Sequence, residues 1–330
     1  MSTRRALIFG VCGQDGAYLA RLLHDQGYEV HGTTRDKQTA NTAGLQYVGV
    51  LSDIMIHSAA LVDFRSVLQV IDDVRPDEIY NLAGQSSVGL SFAQPVETFE
   101  GIILGTLNIL ECLRSLKLPV RFYNAASGDI FGNTDIPADE KAPLRPCSPY
   151  GVAKASALWT VANYREAYDM FACSGILFNH ESPLRPARFV TQKIVCGAVD
   201  IAERVTDKLT LGNLDVARDW GWAADYVDAM ARVLKQDAPD DYVIASGRST
   251  TLTEFVAAAF SYLGLDWQAH VVSIPELMRP TDIHTSIGNP AKAEAKLGWT
   301  AKTRIPDLVH RLVEAELEQR HSKVTTYTAQ

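Results

Sequence analysis

The stretch from Ala6 to Gln26 constrains this chain more than any other. Ala6-Leu7-Ile8-Phe9 is a short apolar run with no polar interruption, the mark of a strand buried on both faces. It runs straight into Gly10-Val11-Cys12-Gly13-Gln14-Asp15-Gly16, a GxxGxxG turn. A helical pattern follows over Tyr18 to Gln26 and stops before Gly27. Glycines at this spacing let the backbone turn sharply and approach a pyrophosphate. The helix start adds free N–H groups and the positive end of its dipole. A strand, this turn and a helix in that order point to a dinucleotide site.

The same alternation continues. Strands are expected at Glu29–Gly32, Glu78–Leu82, Arg121–Asn124 and Gly175–Phe178, with helical segments near Val67–Val74, Gly105–Leu116 and Tyr150–Tyr168. The β-α-β-α rhythm predicts an α/β fold, a Rossmann-type doubly wound parallel sheet. After about Glu181 prolines punctuate shorter elements, and strong helices are expected only at Leu252–Leu263 and Ile305–Gln319. The reading is a dinucleotide-binding unit over 1–180, with a returning strand near 240–246. A smaller, discontinuous C-terminal substrate lobe occupies mainly 181–330, and its polar tail from His321 to Gln330 is read as frayed.

Composition narrows the class. The 330 residues are 47% hydrophobic and 21% charged, which excludes a disordered, collagen-like or disulfide-stapled chain. With 31 basic against 39 acidic side chains the net charge is −8, so no electrostatic footprint for nucleic acid or an anionic membrane exists. Five scattered cysteines without a CxxC pair read as free thiols in a reducing compartment, and no metal site is expected. No run approaches the roughly 20 apolar residues of a spanning helix. The apolar stretch after Arg4-Arg5 stops at Gly10 without a cleavage site. A soluble, cytoplasmic protein is expected.

Two further motifs carry chemistry. Ser148-Pro149-Tyr150-Gly151-Val152-Ala153-Lys154 sets Tyr150 and Lys154 four residues apart at a helix start, on one face. A free phenol titrates at about 10, too high for a base at neutral pH. A nearby ammonium and a cationic nicotinamide would favour the phenolate and let it take a hydroxyl proton. Upstream, Ser127-Gly128-Asp129 follows an apolar strand and should sit at the carboxyl edge of the sheet, where ligands bind in such folds. Ser127 is placed to hydrogen-bond the same substrate hydroxyl. Asp129 adds a second acid/base, which a plain alcohol dehydrogenase does not need.

With these blocks the sequence resembles the extended short-chain dehydrogenase/reductase superfamily, and more narrowly the GDP-mannose 4,6-dehydratase family. The resemblance spans Arg5 to about Gln319. Its most specific stretches are Gly13-Gln14-Asp15-Gly16, Asp77–Leu82, Ile176–Pro183, Leu211–Asp215, Arg218-Asp219-Trp220-Gly221, Arg279-Pro280 and Lys296–Trp299. The resemblance implies an internal redox cycle on a GDP-sugar. Tyr150 removes the C4 hydroxyl proton, a carboxylate takes the C5 proton, water leaves from C6, and a 4-keto-6-deoxy sugar results with no net cofactor use.

It also implies site residues. Ser127, Asp129, Tyr150 and Lys154 would be catalytic. Cofactor contacts would come from Gly10, Cys12, Gly13, Gln14, Asp15, Gly16, Arg35, Ala60, Leu61, Leu82, Ala83, Gln85, Ser86, Tyr150, Lys154, His180 and Arg185. Ser87, Asn179, Val190, Lys193, Arg218 and Arg279 would line the nucleotide-sugar site, the arginines as charge-assisted donors to a diphosphate. A homodimer or homotetramer is implied.

Departures from the family pattern matter. Where relatives carry Thr-Ser-Glu, this chain has Ser127-Gly128-Asp129. The aspartate is one methylene shorter, and Gly128 removes bulk beside the reacting carbons. Either the substrate sits closer or the sugar differs; the room at Gly128 motivates a sugar with an extra group at C6, so GDP-mannose and GDP-manno-heptose are both candidate substrates. After the second strand stands Arg35-Asp36. Arg35 suits a ribose 2′-phosphate and Asp36 a 2′-hydroxyl, so NADP is preferred and NAD second. Two other functions stay open. A GDP-4-keto-6-deoxy-sugar reductase or epimerase would consume reductant, and a non-catalytic nucleotide-binding relative would not turn over at all.

Overall fold

The computed structural model describes residues 3–328, with side chains through His321. Twelve strands are described: β1 (Arg5–Phe9), β2 (Glu29–Thr34), β3 (Met55–Ser58), β4 (Glu78–Asn81), β5 (Arg121–Ser127), β6 (Ala172–Leu177), β7 (Asn179–Glu181), β8 (Leu209–Leu211), β9 (Ala217–Trp222), β10 (Tyr242–Ile244), β11 (Ser249–Thr251) and β12 (Val271–Ser273). Seven form one sheet in the order β10-β6-β5-β4-β1-β2-β3, every pair parallel. This is the α/β Rossmann-type architecture with strand order reversing beside β1.

Burial explains why β1 reads as a continuous apolar run. Ala6 and Ile8 point into a core shared with the helix Gln14–Asp25, while Leu7 and Phe9 point into the opposite core with the helices Phe64–Val74 and Gly105–Leu116. Each layer covers one face of the sheet. In the helix Phe64–Val74 the buried residues are Val67, Val70, Ile71 and Val74, a single helical stripe, and the Asp63 side chain caps its start by accepting from the Arg65 N–H.

After Glu181 the chain keeps returning to this sheet. Helix Ala223–Val233 packs on Gln14–Asp25 through Tyr226, Val227 and Met230, β10 extends the sheet beside β6, and Ala293 and Leu297 of the helix Ala291–Leu297 join the same core. A second core gathers Ile194, Val195 and Val199 with Phe255, Phe260, Leu308 and Leu312. Two small sheets, β11-β9-β7 and β12-β8, stand beside it.

The expectation of strong helices only at 252–263 and 305–319 is corrected by Val190–Ala202 and Ala223–Val233. The former is rich in β-branched residues and contains Gly197, so local propensity is poor; burial against the C-terminal helix makes it form. That C-terminal helix, Asp307–Thr328, continues past His321, where a frayed tail was expected; residues 329–330 lie outside the described residues. Among the described residues no helix is long and apolar enough to cross a membrane, and no cluster of metal-ligating side chains occurs.

Candidate active site

Parallel strands deliver their carboxyl ends to one edge of the sheet. There the loops after β1, β4, β5 and β6 border a single cleft of about 610 Å³. Gly10, Gly13, Gln14, Asp15 and Gly16 line one end, Ser127, Asp129, Tyr150 and Lys154 the middle, and Asn179, Val190, Lys193, Arg218 and Arg279 the other. Leu82, Ser86, Ser87, His180 and Arg185 complete its walls.

The first turn is shaped for close approach. Gly10 has φ +85°, and a Cβ there would lie 2.9 Å from Ala83 Cα. A Cβ on Gly16 would lie 2.3 Å from the Gly10 carbonyl oxygen. Gly13 stands at the N-cap with no side chain capping the helix Gln14–Asp25, so its first-turn N–H groups keep their capacity for an anion. This cradle fits a dinucleotide.

The middle is built by a cap and a strand end. Ser148 Oγ accepts from the Gly151 N–H at 3.0 Å, and Pro149 occupies the first turn, fixing the helix Pro149–Tyr168. Tyr150 and Lys154 therefore face β5. Lys154 Nζ donates to the Ala125 carbonyl at 2.7 Å and lies 5.8 Å from the centre of the Tyr150 ring. Ser127 Oγ accepts from the Asp129 N–H at 3.3 Å, and its hydroxyl favours the Tyr150 phenolate.

Burial sets the electrostatics. It pushes the Asp129 carboxyl up, against the pull of the Arg218 and Arg279 charges. The Lys154 ammonium is drawn down to about 8 by burial, with Asp15 opposing. The Tyr150 phenol goes up, through burial first and the Asp129 charge second, while Ser127 and Arg185 act the other way. Within the chain itself, then, the phenol stays protonated.

At the far end Asp282 joins the two arginines: Arg218 Nη2 is 2.9 Å and Arg279 Nη1 3.5 Å from its Oδ1. Buried Asp219 pins the strand that carries Arg218. Its Oδ1 accepts from the Ser246 N–H at 2.7 Å and its Oδ2 from the Gly247 N–H at 2.9 Å.

Other expected residues lie off the cleft wall. Cys12 packs half-buried against the core, and Ala83 sits behind Gly10. Gln85 Nε2 donates to Thr98 Oγ1 at 3.2 Å, and its Oε1 accepts from the Ser87 N–H. The Ala60 N–H donates to Ser66 Oγ at 3.1 Å, and Leu61 packs over Gly105. Arg35 is exposed, 3.9 Å from Glu97.

Gly128 requires a correction. A Cβ there would meet the Phe178 ring at 3.0–3.1 Å, and Gly128 is buried. The missing side chain makes room for Phe178, not for bulk on a sugar. Asp282, Glu181 and Cys147 also line the cleft and were not anticipated. For Asp282 a signal existed: an acid three residues after Arg279.

Comparison with known proteins agrees with this geometry. A sequence model of the family described as GDP-mannose 4,6 dehydratase matches residues 7–312. The chain is 42% identical to GDP-mannose 4,6 dehydratase 1 of Arabidopsis thaliana, covering 95% of this chain and 90% of that protein. It is 39% identical to GDP-mannose 4,6-dehydratase of Yersinia enterocolitica, covering 96% and 94%. In fold it is similar to the UDP-glucose 4-epimerase of Thermus thermophilus in complex with NAD, with TM-score 0.83, 24% identity, and 94% and 98% covered. A dTDP-glucose 4,6-dehydratase from Streptomyces venezuelae superposes with TM-score 0.84 at 23% identity, over 96% and 98%. By family model and by near-complete alignment with these relatives, the chain belongs to the GDP-mannose 4,6-dehydratase family.

Proposed function

We propose that this chain is a GDP-mannose 4,6-dehydratase, a hydro-lyase that forms the GDP-4-keto-6-deoxy sugar with a bound dinucleotide. One observation carries the reading: the half-buried Asp129 carboxyl shares a single cleft with Tyr150, Ser127 and the Arg218/Arg279 pair. A reductase needs the phenol and the serine but no carboxylate for elimination.

Residues of the glycine turn would hold the dinucleotide phosphates. A bound nicotinamide would supply the redox chemistry, hydride exchange with C4 and C6, and a positive charge that favours the Tyr150 phenolate. Tyr150 then takes the C4 hydroxyl proton, with Ser127 holding that hydroxyl. Oxidation at C4 acidifies C5–H, Asp129 removes that proton, and its raised proton affinity suits it to pass the proton to the departing C6 hydroxyl. Arg218 and Arg279 hold the diphosphate by charge-assisted hydrogen bonds.

NADP is the preferred dinucleotide. Asp36 uses Oδ1 on the Gln38 N–H at 2.9 Å and Oδ2 on the Thr39 hydroxyl at 3.2 Å, within its own loop, which leaves Arg35 as the group that discriminates. Tighter binding of NADPH than NADH, abolished by Arg35→Ala, is the expected result. A homodimer or homotetramer is inferred from exposed Val96, Leu104, Trp159 and Tyr168 on the packed segments 95–116 and 149–168. Light scattering reads the oligomer directly. A cytoplasmic location suits five free thiols.

The test is incubation with GDP-mannose, without added reductant, followed by mass analysis. Loss of one water is expected; no loss, or a requirement for NADPH, contradicts the reading. GDP-manno-heptose belongs in a parallel arm. With Gly128 filled by Phe178, the shorter reach of Asp129 is what remains in favour of the heptose, and a clear preference for the heptose would restore that expectation.

A further inference from the structure

Both ring nitrogens of His180 are already committed inside the protein. Nδ1 lies 2.7 Å from the Phe178 carbonyl oxygen, which only accepts, so Nδ1 carries a proton. Nε2 lies 2.9 Å from Asp15 Oδ2. A chain of directed bonds surrounds Asp15. The Leu184 N–H donates to Ser182 Oγ at 3.1 Å, and the Ser182 hydroxyl donates to Gln14 Oε1 at 2.9 Å. The Gln14 amide is thereby oriented so that its Nε2 donates to Asp15 Oδ1 at 3.0 Å and to the His180 carbonyl at 3.2 Å. Asp15 is thus an acceptor at Oδ1, and with its carboxyl favoured in the ionised form by His180 and Gln14, Oδ2 accepts from a protonated Nε2.

We propose that His180 is held as an imidazolium whose charge clamps Asp15, and with it the glycine turn, to the segment after β6, making it a positioning residue for the dinucleotide site. This rests on the dinucleotide reading of that turn. The ring is 8% exposed and stacks on Tyr226 with centroids 4.5 Å apart, so it has no freedom to swing into the cleft. Asp15 is held below the usual carboxylate range by the His180 charge and the Gln14 hydrogen bond, against burial. The His180 ring is raised above its ordinary value by Asp15 and the Phe178 carbonyl, against burial and the Arg185 charge. Glu181, next to the ring in sequence, is engaged with Thr191 and Arg185. Lys154 and Tyr150 both feel the Asp15 charge, which ties the clamp to the catalytic pair.

The sign of the pH dependence follows. A raised imidazole pKa gives a clamp fully present below the ordinary imidazole value and lost as pH rises through the folded one. Gln at position 180 keeps a neutral donor toward Asp15, whereas Asn keeps the donor toward Phe178 and loses the one toward Asp15. His180→Asn should weaken NADPH binding about tenfold or more at pH 7. His180→Gln, which keeps the hydrogen bond but loses the charge, should weaken binding by an intermediate factor, about threefold to tenfold, and lose the His180-dependent step in the pH profile of binding.

Nitrogen-15 NMR of histidine-labelled protein, with the signal assigned from its absence in His180→Gln, reads the charge directly. Two protonated ring nitrogens at pH 7.5 are expected, and in Asp15→Asn the ring should titrate at or below about 6.5. A single protonated nitrogen at pH 7.5, or NADPH binding by His180→Gln equal to the parent's, would overturn the clamp. A parent chain that binds no dinucleotide would defeat the dinucleotide reading instead, and the NMR result would still decide the ion pair.

Discussion

The two ends of the cleft are held in different ways. At the turn end, glycines packed against backbone and a chain of directed hydrogen bonds through Ser182, Gln14, Asp15 and His180 leave little to rearrange. At the arginine end, Arg218 and Arg279 converge on the single carboxylate of Asp282, carried by an irregular segment between β12 and the helix Ala291–Leu297. A site that takes one ligand on a pre-built cradle and a second on ion-paired side chains should respond to mutation very differently at its two ends. Changes to the cradle cost folding and dinucleotide binding together, whereas changes at Asp282 chiefly cost affinity for the sugar nucleotide.

The centre, which belongs to neither end, should show the largest effects. Asp129→Asn is expected to lower kcat by about 10³-fold while nucleotide-sugar binding persists. Tyr150→Phe should reduce kcat by a similar factor, about 10³-fold, and also abolish any transient reduction of the dinucleotide, which Asp129→Asn permits. Stopped-flow absorbance of the reduced nicotinamide separates them. A variant pair with the same transient would break the division of labour between the two acids.

Next comes the cradle. Gly16→Ala forces a Cβ to 2.3 Å from the Gly10 carbonyl oxygen, a backbone contact that no rotamer relieves. A loss of about 1–3 kcal/mol in stability is expected, with dinucleotide binding falling alongside it. Thermal melts with and without NADPH check both. At the other end, Asp282→Asn should lower the melting temperature less than Gly16→Ala does and raise KM for the GDP-sugar about threefold to tenfold, because the carboxamide oxygen still accepts from Arg218 across this half-buried pair. Equal damage to stability at both ends would erase the contrast.

The smallest effect is also the most specific. Lys154 titrates at about 8 in the folded chain against 10.5 in its ordinary state, because burial disfavours the ammonium. Activity should fall as pH rises through about 8, where the ammonium loses its proton. Over the same interval, up to about 10.5, the unfolded chain binds the extra proton, so this lysine makes stability rise with pH. Rate and stability therefore move in opposite directions, and Lys154→Met should remove both trends.

What the sequence disclosed follows the range of the interactions. The strand and turn from Ala6 to Gly16 are legible because burial pattern and glycine spacing are local signals. Tyr150 and Lys154 are legible because one helical turn separates them. The Asp15–His180 contact joins residues 165 positions apart, and the Asp282 pairing with Arg218 spans 64; neither leaves a local trace of its geometry. Gly128 was misread for a related reason. Its lack of bulk is visible in the sequence, but the occupant of the space, Phe178, arrives from a neighbouring strand. The helix Val190–Ala202 was missed because its stability comes from contacts with Leu308 and Leu312, far along the chain.

The central claim is that one carboxyl and one phenol act in sequence on the same bound sugar, with reducing equivalents borrowed and returned within a single turnover. GDP-mannose deuterated at C4, converted without external reductant and analysed by NMR, tests this most directly. The account predicts deuterium at C6 of the 4-keto-6-deoxy product, one label per molecule and none left behind as reduced dinucleotide. Product with no deuterium at C6, or label accumulating as reduced dinucleotide, would contradict it.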